Sequence, residues 1–168
     1  SDLPILDQLG IIVVRNKVHD GEKMMGQSYR MPCEPVAPGA NVPNENMCII
    51  ESMPVKSLIT FPKSGITHSL NDKLKLNGKA WAGDLKVKDM YVSIDFGATW
   101  EKAKINKPLN KTAWQTWEAS VKFPQKGYYE VWARATDSSG KMQPVIIPGW
   151  NPRGYLNNAC HRIAVQVV

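Results

Sequence analysis

The run Val87-Lys88-Asp89-Met90-Tyr91-Val92-Ser93-Ile94-Asp95-Phe96-Gly97-Ala98-Thr99-Trp100 decides the fold class of this chain. Apolar and polar side chains alternate in its first part, so Met90, Val92 and Ile94 share one face. A period of two residues is typical of a strand with one buried face. Asp95-Phe96-Gly97 then forms a turn that leads into Thr99-Trp100, so the run predicts a β-hairpin.

The same alternation recurs on both sides of this hairpin. The predicted inward rows are Leu74, Leu76 and Ala80; Trp117, Ala119, Val121 and Phe123; Tyr129, Val131, Ala133 and Ala135; and Ile163, Val165 and Val167. Turn clusters rich in Pro, Gly, Asp and Ser separate these rows, at residues 61–65, 124–127 and 137–140. About seven short strands in about 115 residues predict an all-β, immunoglobulin-like antiparallel β-sandwich. Residues 53–168 have no sustained 3.6-residue apolar period, so helices should be minor.

Tyr129 sharpens this prediction, because it stands two residues before the inward position Val131. Immunoglobulin-like domains place a tyrosine in this way at the tyrosine corner. Antibody domains have a cysteine where Val131 stands. The inter-sheet disulfide of antibody domains is therefore absent from this chain. A simple core aromatic explains Tyr129 equally well, and the sequence leaves both interpretations open.

Residues 1–52 differ from the rest and predict an extended N-terminal arm. Residues 11–14 form a candidate strand, and His19-Asp20-Gly21 a candidate turn. Four prolines between residues 31 and 46 favour an extended connector over a helix or a central strand. We therefore expect an arm at 1–52 and the sandwich domain at 53–168, and we expect the chain to be a fragment of a longer protein.

Charge and cysteine content exclude several function classes. The net charge is +6, but eight lysines alternate with apolar residues, as on the wet side of strands. These are Lys73, Lys75, Lys79, Lys86, Lys88, Lys102, Lys104 and Lys107. No nucleic-acid-binding motif is present, and no apolar stretch is long enough to span a membrane. Cys33, Cys48 and Cys160 permit at most one disulfide and lack the spacing of a zinc site.

The candidate nucleophiles in the sequence are not arranged for catalysis. Cys160 and His161 are adjacent, and adjacent strand residues point to opposite faces, so they should not act as a pair. The segment at 137–140 is better explained as a turn than as an activated serine. His19 and His68 lie beside turn residues and should be solvated. We therefore predict no catalytic residue and no metal ligand in this chain.

Arg153 is the candidate site residue, because Pro152 and Gly154 flank it on a tightly shaped loop. A guanidinium donates two parallel hydrogen bonds and suits an oxyanion. A structural arginine that bonds neighbouring carbonyls is the alternative. Spacing alone does not decide between these two roles.

Several motifs in residues 53–168 resemble those of one known family, and they occur in the same order. The matching segments are Gly78-Lys79-Ala80-Trp81-Ala82-Gly83, the run at 92–100, Trp114-Gln115-Thr116-Trp117-Glu118, Ala133-Arg134-Ala135-Thr136-Asp137-Ser138, Gln143-Pro144, Trp150-Asn151-Pro152-Arg153-Gly154-Tyr155 and His161-Arg162-Ile163-Ala164-Val165. They resemble the C-terminal dimerisation domain of the sulfite oxidase and sulfite (sulfane) dehydrogenase family of molybdenum-cofactor oxidoreductases. Residues 29–32 are similar to the exit from the catalytic domain of such enzymes.

The resemblance implies a role in a larger enzyme. Family members oxidise sulfite or related sulfur anions, hold molybdopterin in an upstream domain, and pair as homodimers through this domain. Arg153 matches the family arginine that reaches the substrate pocket and helps to bind the anion. Cys33 does not match the molybdenum-ligand motif, so the isolated chain should hold no molybdenum and oxidise no sulfite. The resemblance also implies a periplasmic location and a cytochrome c subunit as a further partner.

Two other functions remain open at this point. A nitrate-reducing relative has the same domain, and only upstream catalytic residues would separate it from a sulfite enzyme. A free-standing immunoglobulin-like module that binds carbohydrate or protein is the second, with the six tryptophans as stacking platforms.

Overall fold

The structure, a computed structural model, describes residues 25–168 together with Val14, Asn16, Lys17 and Gly21. Its strands are β1 (Arg30–Pro32), β2 (Met47–Ile49), β3 (Lys56–Phe61), β4 (Ile66–His68), β5 (Leu74–Trp81), β6 (Val87–Ser93), β7 (Glu101–Ile105), β8 (Gln115–Val121), β9 (Gly127–Asp137) and β10 (His161–Val167). A short 3-10 helix spans Asn44–Asn46. The candidate strand at 11–14 and the candidate turn at 19–21 lie outside the described residues, apart from Val14 and Gly21.

Strands β3 to β10 form one continuous sheet that folds over itself. Its strand order is β3-β5-β8-β7-β6-β9-β10-β4, with all pairs antiparallel except β10 and β4. The sheet bends over itself at β7, where residues 101–103 pair with β6 and residues 104–105 pair with β8. Two layers therefore face each other across one core, and the predicted immunoglobulin-like β-sandwich is confirmed.

The core consists of the predicted inward rows. Leu76, Met90, Val131, Ala133, Ala135 and Val165 have no measurable exposure, and Trp117 is 1% exposed. Seven of the eight alternating lysines are exposed and Lys79 is half-buried, which confirms the solvated face. Burial of the apolar rows contributes most of the stability, at roughly 25 cal/mol per Å² of apolar surface removed from water.

Tyr129 forms the predicted tyrosine corner. Its hydroxyl donates to the backbone oxygen of Gln125 at 2.9 Å, four residues upstream. Its ring also packs against Phe123, with ring centroids 4.6 Å apart. Tyr129 is therefore both a tyrosine corner and a core aromatic. Its ring packs at the edge of the core, and its hydroxyl holds the turn before β9.

Polar side chains stabilise the turn after β6. Ser93 donates to Asp95 at 2.6 Å, and Asp95 accepts the backbone N–H of Thr99 at 2.9 Å. These hydrogen bonds from Ser93 and Thr99 lower the pKa of Asp95 to about 2. Trp100 closes the turn by donating its indole N–H to the carbonyl of Gly97 at 2.9 Å. The polar motif at 93–100 therefore has a structural role.

The N-terminal arm, residues 25–52, contains more structure than a plain connector. β1 and β2 pair antiparallel at its two ends, and a disulfide joins Cys33 to Cys48 next to this pairing. Closing the 15-residue separation restricts the unfolded chain and so stabilises the hairpin. Of the three cysteines, Cys160 is free.

Candidate functional site

The Arg153 loop, residues 149–156, lies in the long connection between β9 and β10. The side-chain oxygen of Asn151 accepts the backbone N–H groups of Arg153 and Gly154, both at 3.1 Å. Gly154 has φ +71°, a conformation that glycine adopts without strain. The Asn151 amide also donates to the carbonyl of Tyr155. Asn151 and Gly154 thus shape the turn that presents Arg153, whose side chain is exposed.

The arm contacts this loop directly. One Arg153 guanidinium nitrogen, Nη2, donates to Oε1 of Gln27 at 2.8 Å, and Nε2 of Gln27 donates to the carbonyl of Val42 at 3.0 Å. The rings of Tyr29 and Tyr155 stack with centroids 6.0 Å apart. Sequence analysis did not single out Gln27 as a partner of Arg153, because the two residues lie 126 positions apart.

Two further contacts join the arm to the beginning of the loop. The backbone N–H of Trp150 donates to the carbonyl of Val36 at 2.9 Å. Gly149, at φ +77°, packs so closely on Pro35 that a Cβ there would lie 2.9 Å from the proline Cβ. The loop is therefore in contact with the arm on both sides of Arg153 in the sequence.

Gln143 fixes the base of the same connection to the sandwich. It is 2% exposed, and its Oε1 accepts Oγ of Ser57 at 2.6 Å and the N–H of Ala135 at 2.8 Å. Its Nε2 donates to the carbonyls of Asn158 and Ala159 at 3.1 and 3.3 Å. One side chain therefore ties together β3, β9 and the chain just before β10.

A cavity of about 790 Å³ lies between the arm and the sandwich. Its walls are mostly apolar and include Met31, Met53, Leu85, Met142 and Trp150. Arg153 does not line it. The cavity and the arginine are thus separate features of one surface region.

The other candidates have structural roles. Burial raises the pKa of the Cys160 thiol, which disfavours a nucleophilic thiolate. Burial and the nearby charge of Lys56 lower the pKa of His161, and its Nδ1 accepts the N–H of Ile59 at 3.1 Å. His161 therefore interacts with β3 and makes no pair with Cys160, as the alternation predicts.

The segment at 137–140 is a turn, as predicted. Asp137 Oδ1 accepts the hydroxyl of Ser139 at 2.6 Å and the N–H of Lys141 at 3.0 Å. Burial would raise the pKa of Asp137, but these hydrogen bonds outweigh it and the pKa is lowered. The Ser139 hydroxyl is therefore a donor to a carboxylate that is ionised at neutral pH. His68 differs from the expectation of a solvated side chain, because it is half-buried in β4. Its ring packs edge-on against Phe123, with centroids 5.9 Å apart, and is hydrogen-bonded to the carbonyl of Asp72 at 3.2 Å.

Residues 25–168 contain no group of three or more His, Cys, Asp or Glu side chains that could hold a metal ion. Cys33 is bonded to Cys48 and offers no thiolate, so neither of these two cysteines fits a molybdenum ligand. Within the same residues no helix is long and apolar enough to cross a membrane.

Five of the six tryptophans pack against protein rather than forming a flat platform, and the sixth, Trp150, lines the cavity. Trp117 is in the core, Trp132 is 7% exposed, and Trp100 stacks on the Arg134 guanidinium at 3.9 Å. Trp81 and Trp114 stack on each other with centroids 5.0 Å apart, and Trp114 is 58% exposed. Because these two rings face each other, they present no pair of side-by-side faces to a sugar.

Taken together, the folded-over sheet and the tyrosine corner define an immunoglobulin-like β-sandwich domain with an arginine on a shaped surface loop. Residues 47–168 match the Mo-co oxidoreductase dimerisation domain, and the chain belongs to this family. The family resemblance seen in the sequence is thereby confirmed.

Similar proteins agree with this assignment. The chain is 35% identical over 126 residues to mitochondrial sulfite oxidase of Rattus norvegicus, which covers 71% of this chain and 23% of the relative. It is 27% identical over 133 residues to the nitrate reductase [NAD(P)H] of Hordeum vulgare, covering 71% of this chain and 15% of the relative. The chain thus spans about a quarter or less of these relatives. The sulfane dehydrogenase SoxCD structure from Paracoccus pantotrophus shares the fold, with a TM-score of 0.59, 23% identity, and 83% of this chain and 35% of that chain covered.

Proposed function

We propose that this chain is the assembly domain of a molybdenum-dependent enzyme that oxidises sulfite or a related sulfur anion, and that Arg153 binds this anion. The observation that supports the proposal most is the exposed Arg153 guanidinium on a loop shaped by Asn151 and Gly154. The greater similarity to sulfite oxidases than to a nitrate reductase favours a sulfur anion over nitrate. Molybdopterin and the reacting atoms belong to the upstream catalytic domain in this proposal.

The chemistry of Arg153 is limited to binding and orientation. A guanidinium stays charged at every physiological pH and its planar fork matches two oxygens of a tetrahedral or pyramidal oxyanion. Because the loop backbone is fixed by Asn151, the charge is presented in a defined direction. Arg153 would therefore lower the dissociation constant of the anion and would exchange no proton with it.

Arg153→Met in the full-length enzyme should raise the KM for sulfite about tenfold to a hundredfold, because a charge-assisted hydrogen bond is worth ~1.5–3 kcal/mol. Arg153→Lys should recover only part of this loss, since an ammonium lacks the planar fork. Steady-state kinetics measures both effects. Arg162→Met is the matched control, because Arg162 is also exposed but lies over Trp132 and near Glu130. An unchanged KM in Arg153→Met, with reduced thermal stability, would show that Arg153 is structural.

The family of dimerisation domains supports a homodimer of this chain. Sedimentation at micromolar concentration should therefore show a particle of twice the chain mass. Trp114 is the exposed ring of the Trp81–Trp114 stack, so Trp114→Glu should shift the equilibrium toward the single chain if this face pairs. Tyr128→Glu, at an equally exposed ring on β9, is the control and should have no effect. A single-chain particle at all concentrations would contradict the homodimer.

The remaining elements of the proposal concern the surroundings of the domain. The arm would be the end of the catalytic domain plus a linker, and a cytochrome c subunit would accept the electrons. The Cys33–Cys48 disulfide supports an oxidising compartment, such as the periplasm.

A further inference from the structure

We infer that Gln27 is a positioning residue for Arg153, so that the N-terminal arm sets where the anion-binding charge lies. This inference rests on the proposed function of Arg153 and adds a residue that the motifs around Arg153 do not contain. Among the described residues, Gln27 is the side chain to which the Arg153 guanidinium donates, at 2.8 Å. A residue with this contact fixes the direction of the guanidinium without touching the substrate.

The Gln27 amide can serve this role in only one orientation. Its Nε2 lies 3.0 Å from the carbonyl of Val42, which is an acceptor and therefore requires the amide nitrogen on that side. The amide oxygen must then face Arg153, where it accepts from Nη2. Val42 is 8% exposed, so the carbonyl that orients Gln27 belongs to a buried residue of the arm.

An amide suits this position better than a carboxylate would. A neutral oxygen accepts one guanidinium hydrogen and leaves the positive charge in place for an anion. A carboxylate at the same position would make an ion pair with Arg153 and compete with the anionic substrate. A neutral amide at residue 27 therefore suits a residue that positions Arg153 for an anion, whereas simple attachment of the arm would be served equally well by a carboxylate.

A disulfide and backbone hydrogen bonds hold the arm together, so the arm can act as a reference for the position of the loop. Its hairpin is closed by the Cys33–Cys48 disulfide and by the backbone hydrogen bond from Cys33 to Asn46 at 3.0 Å. Tyr29 lies between Gln27 and this hairpin, and its carbonyl accepts the N–H of Ile50 at 3.4 Å. Gln27 therefore lies only two residues before Tyr29, whose backbone is hydrogen-bonded to the other end of the arm.

The contacts on either side of Arg153 lead to the same conclusion. Trp150 bonds to Val36 before the arginine, and Tyr155 stacks on Tyr29 after it. The loop backbone and the guanidinium are thus both held by the arm. An arginine held in one direction before the anion arrives loses less conformational freedom on binding, so affinity rises.

The first test is kinetic and uses the full-length enzyme with sulfite. Gln27→Met keeps the side-chain length and removes the acceptor, so the KM for sulfite should rise about threefold to tenfold while kcat changes less than about twofold. Gln27→Glu should raise KM at least as much, because it neutralises the guanidinium. Ser28→Ala, at the next and exposed residue, should change neither constant. In the double variant Gln27→Met/Arg153→Met, the Gln27 change should add nothing to the Arg153 loss.

The second test measures order rather than activity. Nuclear magnetic resonance of the Arg153 Nε–H group in this chain should show a side chain that is ordered in the parent sequence. Gln27→Met should reduce that order, and Ser28→Ala should not. A mobile Arg153 in the parent chain, or equal order in Gln27→Met, would overturn the inference.

The two tests separate the inference from the proposed function. A large KM effect in Arg153→Met with none in Gln27→Met would refute positioning by Gln27 and leave anion binding intact. An additive double variant would also refute it, because Gln27 would then act independently. No KM effect in Arg153→Met would refute the proposed function, and the order measurement would still decide whether Gln27 positions the side chain.

Discussion

Gly78→Ala is expected to destabilise the domain by at least about 3 kcal/mol, the upper end of what overpacking a core usually costs. An added Cβ would lie 2.2 Å from the carbonyl oxygen of Leu58 and 2.2 Å from Cε2 of Trp117. The first obstacle is the backbone of β3, which is paired to β5 at this point. The second obstacle is Trp117, the largest fully buried side chain, whose indole N–H donates to the backbone carbonyl of Lys79. Neither can move without breaking sheet or core contacts.

Urea unfolding followed by tryptophan fluorescence measures this effect as a shift of the midpoint. Gly26→Ala is the matched control, because a Cβ at Gly26 meets nothing within 4 Å and the residue has no positive φ. It should change stability by less than about 0.5 kcal/mol. If both variants unfolded at the same urea concentration, the close packing around Gly78 would be refuted. A Gly78→Ala chain that fails to fold at all agrees with the prediction, provided that Gly26→Ala folds.

The alternation of apolar residues predicted the longer strands of the sandwich and their buried faces, but not the three-residue strands β1, β2 and β4. A strand places every second side chain on one side, so an apolar row such as Leu74, Leu76 and Ala80 defines its inward face before any partner is known. The short parallel strand β4 escaped prediction because three residues between turn clusters cannot show a period. Tyr129 was recognised from local spacing because it stands two residues before the inward position Val131, and its hydroxyl partner also lies only four residues away.

Contacts between distant polar side chains could not be predicted in this way. Arg153 was singled out by its flanking Pro and Gly, but its partner Gln27 lies in a segment with no periodic signal. The Cys33–Cys48 pairing was one of three possible bridges, and sequence spacing does not choose among them. Gln143 was visible only as part of the Gln-Pro motif, which says nothing of its partner Ser57, 86 positions away. Such contacts form only when the tertiary structure brings distant segments of the chain together, and no local pattern in the sequence encodes that.

Replacing Gln143 should produce the other large effect, because this buried amide satisfies four groups at once. Gln143→Leu removes the acceptor for Ser57 and Ala135 and the donor for the carbonyls of Asn158 and Ala159. Each buried polar group that loses its partner costs about 1–3 kcal/mol, so a loss of at least about 3 kcal/mol is expected. Ser57→Ala, which removes one partner only, should cost about 1 kcal/mol. Equal losses in the two variants would show that Gln143 does not hold the base of the loop.

Gln143→Glu separates the hydrogen-bonding role of Gln143 from its volume. A carboxylate can still accept from Ser57 and Ala135, but it offers no hydrogen to the two carbonyls and its burial disfavours the charge. The pKa of the introduced carboxyl should therefore be higher in the folded chain than in the unfolded chain, where it is about 4.3. A raised folded pKa adds stability that is present below the unfolded pKa and lost as pH rises through the folded pKa. The deficit of Gln143→Glu relative to the parent chain should consequently be large at pH 7 and shrink as pH falls toward 4, whereas that of Gln143→Leu should hardly change with pH. Urea unfolding across this pH range measures both deficits. A Gln143→Glu deficit that does not change with pH would contradict the conclusion that the side chain of residue 143 is buried and donates to the carbonyls before β10.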